Sequence, residues 1–324
     1  MNKVLGLGNA LVDIMTILDS DIFLENQKLP KGSMQLVDLH TSGAVLEAAS
    51  KLKKTLSSGG SAANTIHGFA SLGGKAGYIG TIGRDEYGNF FKTDMQQHGI
   101  EPRMFETDTP TGRAIALISP DSERTFATCL GAATELNPAL LTDELFTGYH
   151  FLHTEGYLAF NNELLLTALK KAKKNKLKIS LDMASYNVVE ANLEFLKMLI
   201  SNYVDIVFAN EEEAKALTGK DPEAALHEIS DLCEIAVVKT GARGSLVKTG
   251  DTIFEIPAIK ANSIDTTGAG DLYASGFLFG LSENMPLDKC GRIGSLCAGK
   301  VIEIIGAKMA EKTWESIREN VSKM

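Results

Sequence analysis

Short apolar runs alternate with longer amphipathic stretches along almost the whole of this 324-residue chain, and that alternation limits its fold more than anything else in it. The runs at 4–7, 78–82, 114–119, 151–154, 179–182, 206–209 and 235–239 carry at most one charged residue each, as strands buried on both faces do. Between them, residues 62–72, 86–98, 163–174, 193–201, 211–217 and 287–305 repeat apolar positions at helical spacing. Strand, helix, strand in this order predicts an α/β chain: a doubly wound, mostly parallel sheet flanked by helices. Two segments break the rhythm. Residues 14–38, around Pro30 and Gly32, and 111–131, around Pro120-Asp121, alternate apolar and polar side chains and read as hairpins or half-exposed strands. Paired, they would form a small β-sheet lid over the carboxyl ends of the parallel strands, where open α/β sheets bind ligands. The expected division is an α/β core of 1–13, 39–110 and 132–324, with a discontinuous lid of 14–38 and 111–131.

A formal net charge of −9 argues against nucleic acid or an anionic membrane as partner, since both need basic surface. It leaves a small phosphorylated ligand open, because a few local amides can hold phosphate in an acidic chain. No window is long and apolar enough to span a bilayer, and Asn9 and Asp13 interrupt the first apolar stretch where a secretory leader needs it unbroken. Cys129, Cys233, Cys290 and Cys297 are scattered without metal spacing, so reduced thiols in a cytoplasmic protein are expected. The six histidines give no metal signature; His150 and His153, three apart on one strand, point to opposite faces.

Chemistry concentrates in Asp265-Thr-Thr-Gly-Ala-Gly-Asp271, which runs directly into an apolar helix. Gly268, Ala269 and Gly270 are small enough for backbone amides to converge at the helix start, where unpaired N–H groups and the macrodipole favour an anion. Asp271 at that mouth could take a proton from a hydroxyl attacking a phosphate. An ordinary helix start with an acidic first turn fits the same letters. Gly59-Gly60-Ser61-Ala-Ala-Asn64 would open another helix and bring substrate close to backbone, with Ser61 as a plain N-cap the simpler account. Asn210 and Glu213 have the spacing of a capping box, and Lys239-Thr240-Gly241 to Gly244 is either a nucleotide-bordering loop or a hairpin turn. Gly6-Leu-Gly8 lacks the third glycine of a dinucleotide fingerprint, while Gly294 to Lys300 approaches a phosphate loop but has Val301 where Ser or Thr must reach a metal.

Singly weak, these signals fall in a telling order. The sequence resembles the PfkB family of carbohydrate and nucleoside kinases, the ribokinase-like group, through three blocks: Gly59 to Asn64 running on to Gly83-Arg-Asp-Glu-Tyr-Gly88, Asn210-Glu-Glu-Glu213, and Asp265 to Asp271. The resemblance implies ATP-dependent phosphorylation of a hydroxymethyl group, with Asp271 as base and the amides of Gly268, Ala269 and Gly270 as anion hole. It implies Mg²⁺ held through water by Asn210 and Glu213, an ATP-bordering loop at Lys239, Thr240, Gly241 and Gly244, and a monovalent cation, K⁺, beside Asp265 and Thr267. The Asn9 to Asp13 spacing is similar to the opening of adenosine kinases, as is Glu123-Arg124-Thr125, whose arginine would approach the transferring phosphate. On that likeness Asn9 and Asp13 hold ribose hydroxyls, Gly59, Gly60 and Asn64 line the sugar, Met34 covers the pocket and Tyr157 stacks on the base. The acceptor remains open: a nucleoside, adenosine foremost, or a sugar or sugar acid such as ribose, fructose or 2-keto-3-deoxygluconate. So does the oligomeric state, monomer or homodimer through the lid. A ligand-binding protein on a kinase fold is the reading from another class.

Overall fold

A computed structural model describes residues 2–121 and 123–324. In chain order its strands are β1 (Val4–Leu7), β2 (Leu11–Ile17), β3 (Met34–Leu36), β4 (Lys54–Gly59), β5 (Ala76–Gly83), β6 (Ile100–Thr107), β7 (Gly112–Ile118), β8 (Arg124–Cys129), β9 (Phe151–Glu155), β10 (Lys178–Asp182), β11 (Ile206–Asn210), β12 (Ile235–Lys239), β13 (Ser245–Thr249) and β14 (Thr252–Ile256). The α-helices are α1 (Ile22–Asn26), α2 (Leu39–Ala48), α3 (Ser61–Ser71), α4 (Glu86–Gln97), α5 (Asn162–Lys174), α6 (Tyr186–Ala191), α7 (Leu193–Tyr203), α8 (Glu211–Thr218), α9 (Pro222–Ser230), α10 (Ala269–Ser282), α11 (Leu287–Val301) and α12 (Glu311–Ser322).

Nine strands form the main sheet in the order β14-β13-β12-β11-β10-β9-β1-β5-β6, parallel from β12 to β6, with β13 and β14 added antiparallel at one edge. Its apolar runs have no polar side because each strand feeds two cores. Val4, Ile206, Phe208, Ile235 and Val237 pack with α3, α10 and α11, whereas Leu5, Leu7, Val207, Ala236 and Val238 pack with α5, α7 and α9 on the other face. Of the glycines of the phosphate-loop look-alike, Gly294 serves helix packing and Gly299 makes room for Ile259. A Cβ on Gly294 would lie 2.7 Å from the Tyr273 carbonyl oxygen, so α11 and α10 touch backbone to backbone.

The second sheet has the order β3-β8-β7-β2-β4. Residues 111–131 do make an antiparallel hairpin, β7 with β8, but β2 and β3 from the other alternating segment never pair with each other. The sheet also takes in Lys54–Gly59, which lies outside 14–38 and 111–131 and pairs antiparallel with β2. Its sequence, Lys-Thr-Leu-Ser-Ser-Gly, has too little apolar alternation to announce a strand, because its first half is exposed and only Ser58 and Gly59 are buried. Two further differences are local. Strand β6 carries Pro102 and is tolerated because it is the sheet edge. Helix α11 stops at Val301 rather than running to 305, and the turn that follows reaches a left-handed Gly306. Among the described residues no helix is long and apolar enough to cross a membrane.

Candidate active site

Asn9, Tyr157, Asp182, Asn210 and Lys239 stand at or just past the carboxyl ends of β1, β9, β10, β11 and β12, on either side of the point where strand order reverses. They border an open cleft of about 2160 Å³. A pocket for one small ligand measures roughly 300–1,000 Å³, so two molecules fit side by side.

One end of the cleft is built from buried carboxylates. Glu155, the last residue of β9, accepts the Asn9 amide at 2.9 Å and the Asn9 side-chain amide at 2.7 Å on Oε1, and the Ala62 amide at 2.7 Å on Oε2. Burial pushes its carboxyl up to about 7, against the pull of those three donors. Asp13 on β2 packs on the backbone of β4. A Cβ on Gly59 would stand 2.2 Å from its Oδ1, and one on Gly60, at φ 97°, would stand 2.2 Å from the Asn9 carbonyl oxygen. The glycine pair is therefore what lets Asn9 and Asp13 sit together. Burial raises Asp13 to about 6, with the charge of Lys308 opposing it.

Asp271 lies in the first turn of α10, whose N-cap is Gly268 in the left-handed region at φ 75°. Ser61 Oγ donates to its Oδ1 at 2.7 Å and Asn64 Nδ2 to its Oδ2 at 3.1 Å, so the helix starts of α3 and α10 meet at this carboxylate. Ser61 is the first residue of α3 and not its cap; Gly60 is the cap, and the hydroxyl faces Asp271 instead. Burial, and next the charge of Asp182, push Asp271 up to about 6. A carboxylate raised toward neutrality is a better proton acceptor than a surface carboxylate.

The other end is a set of strand tips and one hairpin. Asn210 caps α8 in a full capping box: its side-chain oxygen accepts the Glu213 amide at 2.9 Å, while Glu213 Oε2 accepts the Asn210 amide at 2.8 Å. Burial raises Glu213 to about 7, with Lys239 opposing. Lys239 Nζ donates to Asp182 at 2.9 Å and would lie 3.0 Å from a Cβ on Gly270, so an ammonium stands against the helix-start amides. Gly241 and Gly244 edge the cleft on the β12–β13 turn, while Thr240 is buried behind them. The segment is thus both a hairpin turn and a cleft border.

Residues 38–314 match the model of the pfkB family carbohydrate kinases, well over half of the chain. The chain belongs to the pfkB family. It is 33% identical to an adenosine kinase from Sinorhizobium meliloti, with a TM-score of 0.87 over 98% of this chain and 99% of that one. It is equally similar, at 33% and a TM-score of 0.87 over 99% of both chains, to a probable sugar kinase from Rhizobium etli CFN 42. In sequence it is 30% identical to a ribokinase from Lactococcus lactis, across 77% of this chain and 81% of that protein. It is an ATP-dependent phosphotransferase with the ribokinase-like α/β fold.

In this pfkB kinase the residues expected at one site do converge: Asn9, Asp13, Gly60, Asn64, Met34, Tyr157, Asn210, Glu213, Lys239 and the turn from Gly268 to Asp271 all line the cleft. Arg124 does not. It pairs with Asp265 and donates to Thr267 Oγ1 at 3.1 Å, engaging the two residues expected to hold a monovalent cation. Sequence reasoning missed Glu155, Asp182 and Lys308. The first two carry a recoverable signal, a lone acid ending a buried parallel strand. It also found no metal spacing among the histidines, yet His67 of α3 brings a ligand atom within 4.8 Å of Asp94 and His98. The buried ammonium of Lys308 already acts on His67 and Asp94 there, which disfavours a second cation.

Proposed function

We propose that this kinase phosphorylates the 5′-hydroxyl of a nucleoside, most readily adenosine to AMP, in the cytoplasm as a step of purine salvage. The observation that carries this reading is the make-up of the acceptor end: a polar floor of Asn9, Asp13 and Asn64 under apolar walls of Leu11, Met34, Leu36, Phe126 and Tyr157. Ribose hydroxyls suit the floor, and a flat base suits the walls. A free sugar, which offers one small C–H face, would cover less of Phe126 and Tyr157 than a purine would. The Sinorhizobium adenosine kinase, alike over nearly its whole length, supports the same choice.

In this mechanism the Asp271 carboxylate removes the proton from the 5′-hydroxyl, the oxygen attacks the γ-phosphorus of ATP, and the bond to the bridging oxygen breaks to release ADP. The amides of Gly268, Ala269 and Gly270 face the charge that develops on the transferred group, with Lys239 beside them. ATP lies along the border formed by Gly241 and Gly244. Glu213 and Asp182 place two carboxylates on this side of the cleft against the single ammonium of Lys239, and the negative charge left over is one that a cation keeping its own water shell would offset. Mg²⁺ would be held there through water by Asn210 and Glu213, and when bound it would neutralise phosphate charge.

Ribokinase among the relatives favours a second reading, a sugar or sugar-acid acceptor on the same chemistry. A panel of adenosine, inosine, ribose, fructose and 2-keto-3-deoxygluconate, scored by ADP release, separates the two. A sugar or sugar acid turned over with the highest kcat/KM would overturn the nucleoside reading, and no turnover on any acceptor would leave a binding protein. Sedimentation decides between a monomer and a homodimer paired through the lid.

A further inference from the structure

The lid and the anion-hole turn are joined at one buried ion pair. Asp265 Oδ1 accepts the Thr267 amide at 2.9 Å and its Oδ2 accepts the Gly306 amide at 2.6 Å. Onto that same Oδ2 comes Arg124, from the start of β8, and its Nη1 also donates to Thr267 Oγ1 at 3.1 Å. The Arg124 and Asp265 side chains are only 12% and 5% exposed. Burial pushes the Asp265 carboxyl up, yet the two amides and the guanidinium outweigh it and hold the group below its ordinary range.

A monovalent cation needs several free oxygen ligands, and here both carboxylate oxygens and the threonine hydroxyl are engaged by donors, one of them a full positive charge. The residues present do not fit a bound K⁺. We propose that Arg124 is this chain's own substitute for that ion: the guanidinium, a positioning group, orders the 265–267 turn that leads into Gly268, Ala269 and Gly270. Two consequences follow. Turnover does not depend on potassium, and the anion hole is ordered only while the second sheet lies over the cleft, because the ordering charge rides on that sheet. ATP bound without an acceptor would then meet an unfinished site, which suppresses its hydrolysis.

This inference rests on the kinase reading, so its primary test is a melting curve of the ligand-free chain, which needs no acceptor. Wild type and Arg124→Gln are melted in KCl, LiCl and tetramethylammonium chloride at equal ionic strength, which holds general screening constant. The wild type should melt alike in all three. R124Q should melt about 2 °C or more higher in KCl than in the other two salts, saturably, as an ion binds the emptied place. With whichever acceptor the panel selects, R124Q should lose turnover and recover at least about tenfold with K⁺, while the wild type stays indifferent. A saturable potassium-selective rise in the wild type overturns the proposal, as does an R124Q that folds and ignores potassium. Should R124Q fail to fold, Arg124→Lys decides: an ammonium at that position should keep the wild type's indifference, and a potassium response in R124K would sink the idea.

Discussion

The two ends of the cleft solve opposite problems, and their glycines show it. At the acceptor end Gly59 and Gly60 have no spare room, each missing Cβ lying 2.2 Å from a polar oxygen of Asp13 or Asn9. At the donor end Gly244 is just as tight, its missing Cβ 1.9 Å from the Ile256 carbonyl oxygen of the neighbouring strand, but Gly241 faces open space, with nothing within 4 Å of its missing Cβ, and gives the turn its φ of 57°. The carboxylates differ in parallel. Glu155 and Asp271 are held by donors from β1 and α3, distant in sequence, whereas Glu213 is held by its own capping box three residues away. The acceptor-end carboxylates are held by distant segments and so keep a shape that can discriminate, while the donor end mixes a local capping box with the long-range Lys239–Asp182 pair and grips a common group. That is the division a kinase needs between a particular alcohol and the shared phosphates of ATP.

Asp271 stands where the two ends meet, so its loss should spare both ligands and remove the reaction. Asp271→Asn keeps the shape and removes the base, and because its amide N–H can only donate, Ser61 or Asn64 must turn to accept for both contacts to persist. Turnover should fall by about 10²–10⁴-fold, with the affinities for acceptor and ATP within a few-fold of wild type. Calorimetry on the variant checks the binding half. Near-normal turnover would show that no base is needed and would dissolve the distinction between a holding and a reacting end.

The glycine contrast makes a paired prediction of smaller size. Gly59→Ala must displace the Asp13 carboxylate, and a misplacement of about 1 Å in a binding group can cost on the order of 10²-fold; the loss should appear in KM for the acceptor and leave KM for ATP unchanged. Gly241→Ala meets no atom and bears only about 1–2 kcal/mol of backbone strain, so it should lower the melting temperature slightly and shift KM for ATP no more than a few-fold. If both variants weakened the same ligand, the two ends would not be separate.

What could be read from the sequence follows the same line between local and distant contacts. Six main-sheet strands, β1, β5 and β9 to β12, were legible because burial on both faces leaves a run of apolar residues, whereas β6, β13 and β14 at the two ends of the sheet are partly exposed and were not; the capping box at Asn210 was legible because its partner is one turn away. The turn from Asp265 to Asp271 was legible because its glycines and acid are consecutive. Glu155 was not: its partners Asn9 and Ala62 lie 146 and 93 residues off, and nothing near it in the chain requires a carboxylate. Strand β4 was missed because half-exposed polar residues pair in a sheet through their backbone alone. Arg124 stood out only through the family resemblance, and its pairing with Asp265, 141 residues on, appears only in three dimensions.

The smallest effect tests how the two ends influence one another. The base at the junction titrates at about 6, raised first by burial and next by the negative charge of Asp182, a donor-end residue paired with Lys239 at 2.9 Å. Only the ionised base accepts a proton, so kcat/KM for the acceptor should fall as pH drops through about 6, where free-enzyme Asp271 protonates, with Asp13, Glu155 and Glu213, all raised by burial, steepening that limb. Asp182→Asn removes a charge that opposes ionisation and leaves the Lys239 ammonium, which favours it, without its partner. Both changes act in one direction: deprotonation of Asp271 becomes easier, and the acid limb should move to lower pH. Activity at pH 7 should change less than in either variant above, because Asp271 titrates below that pH in both proteins. An acid limb that stays in place would mean that burial alone sets the base, and that the donor end reaches the chemistry only through the phosphates it holds.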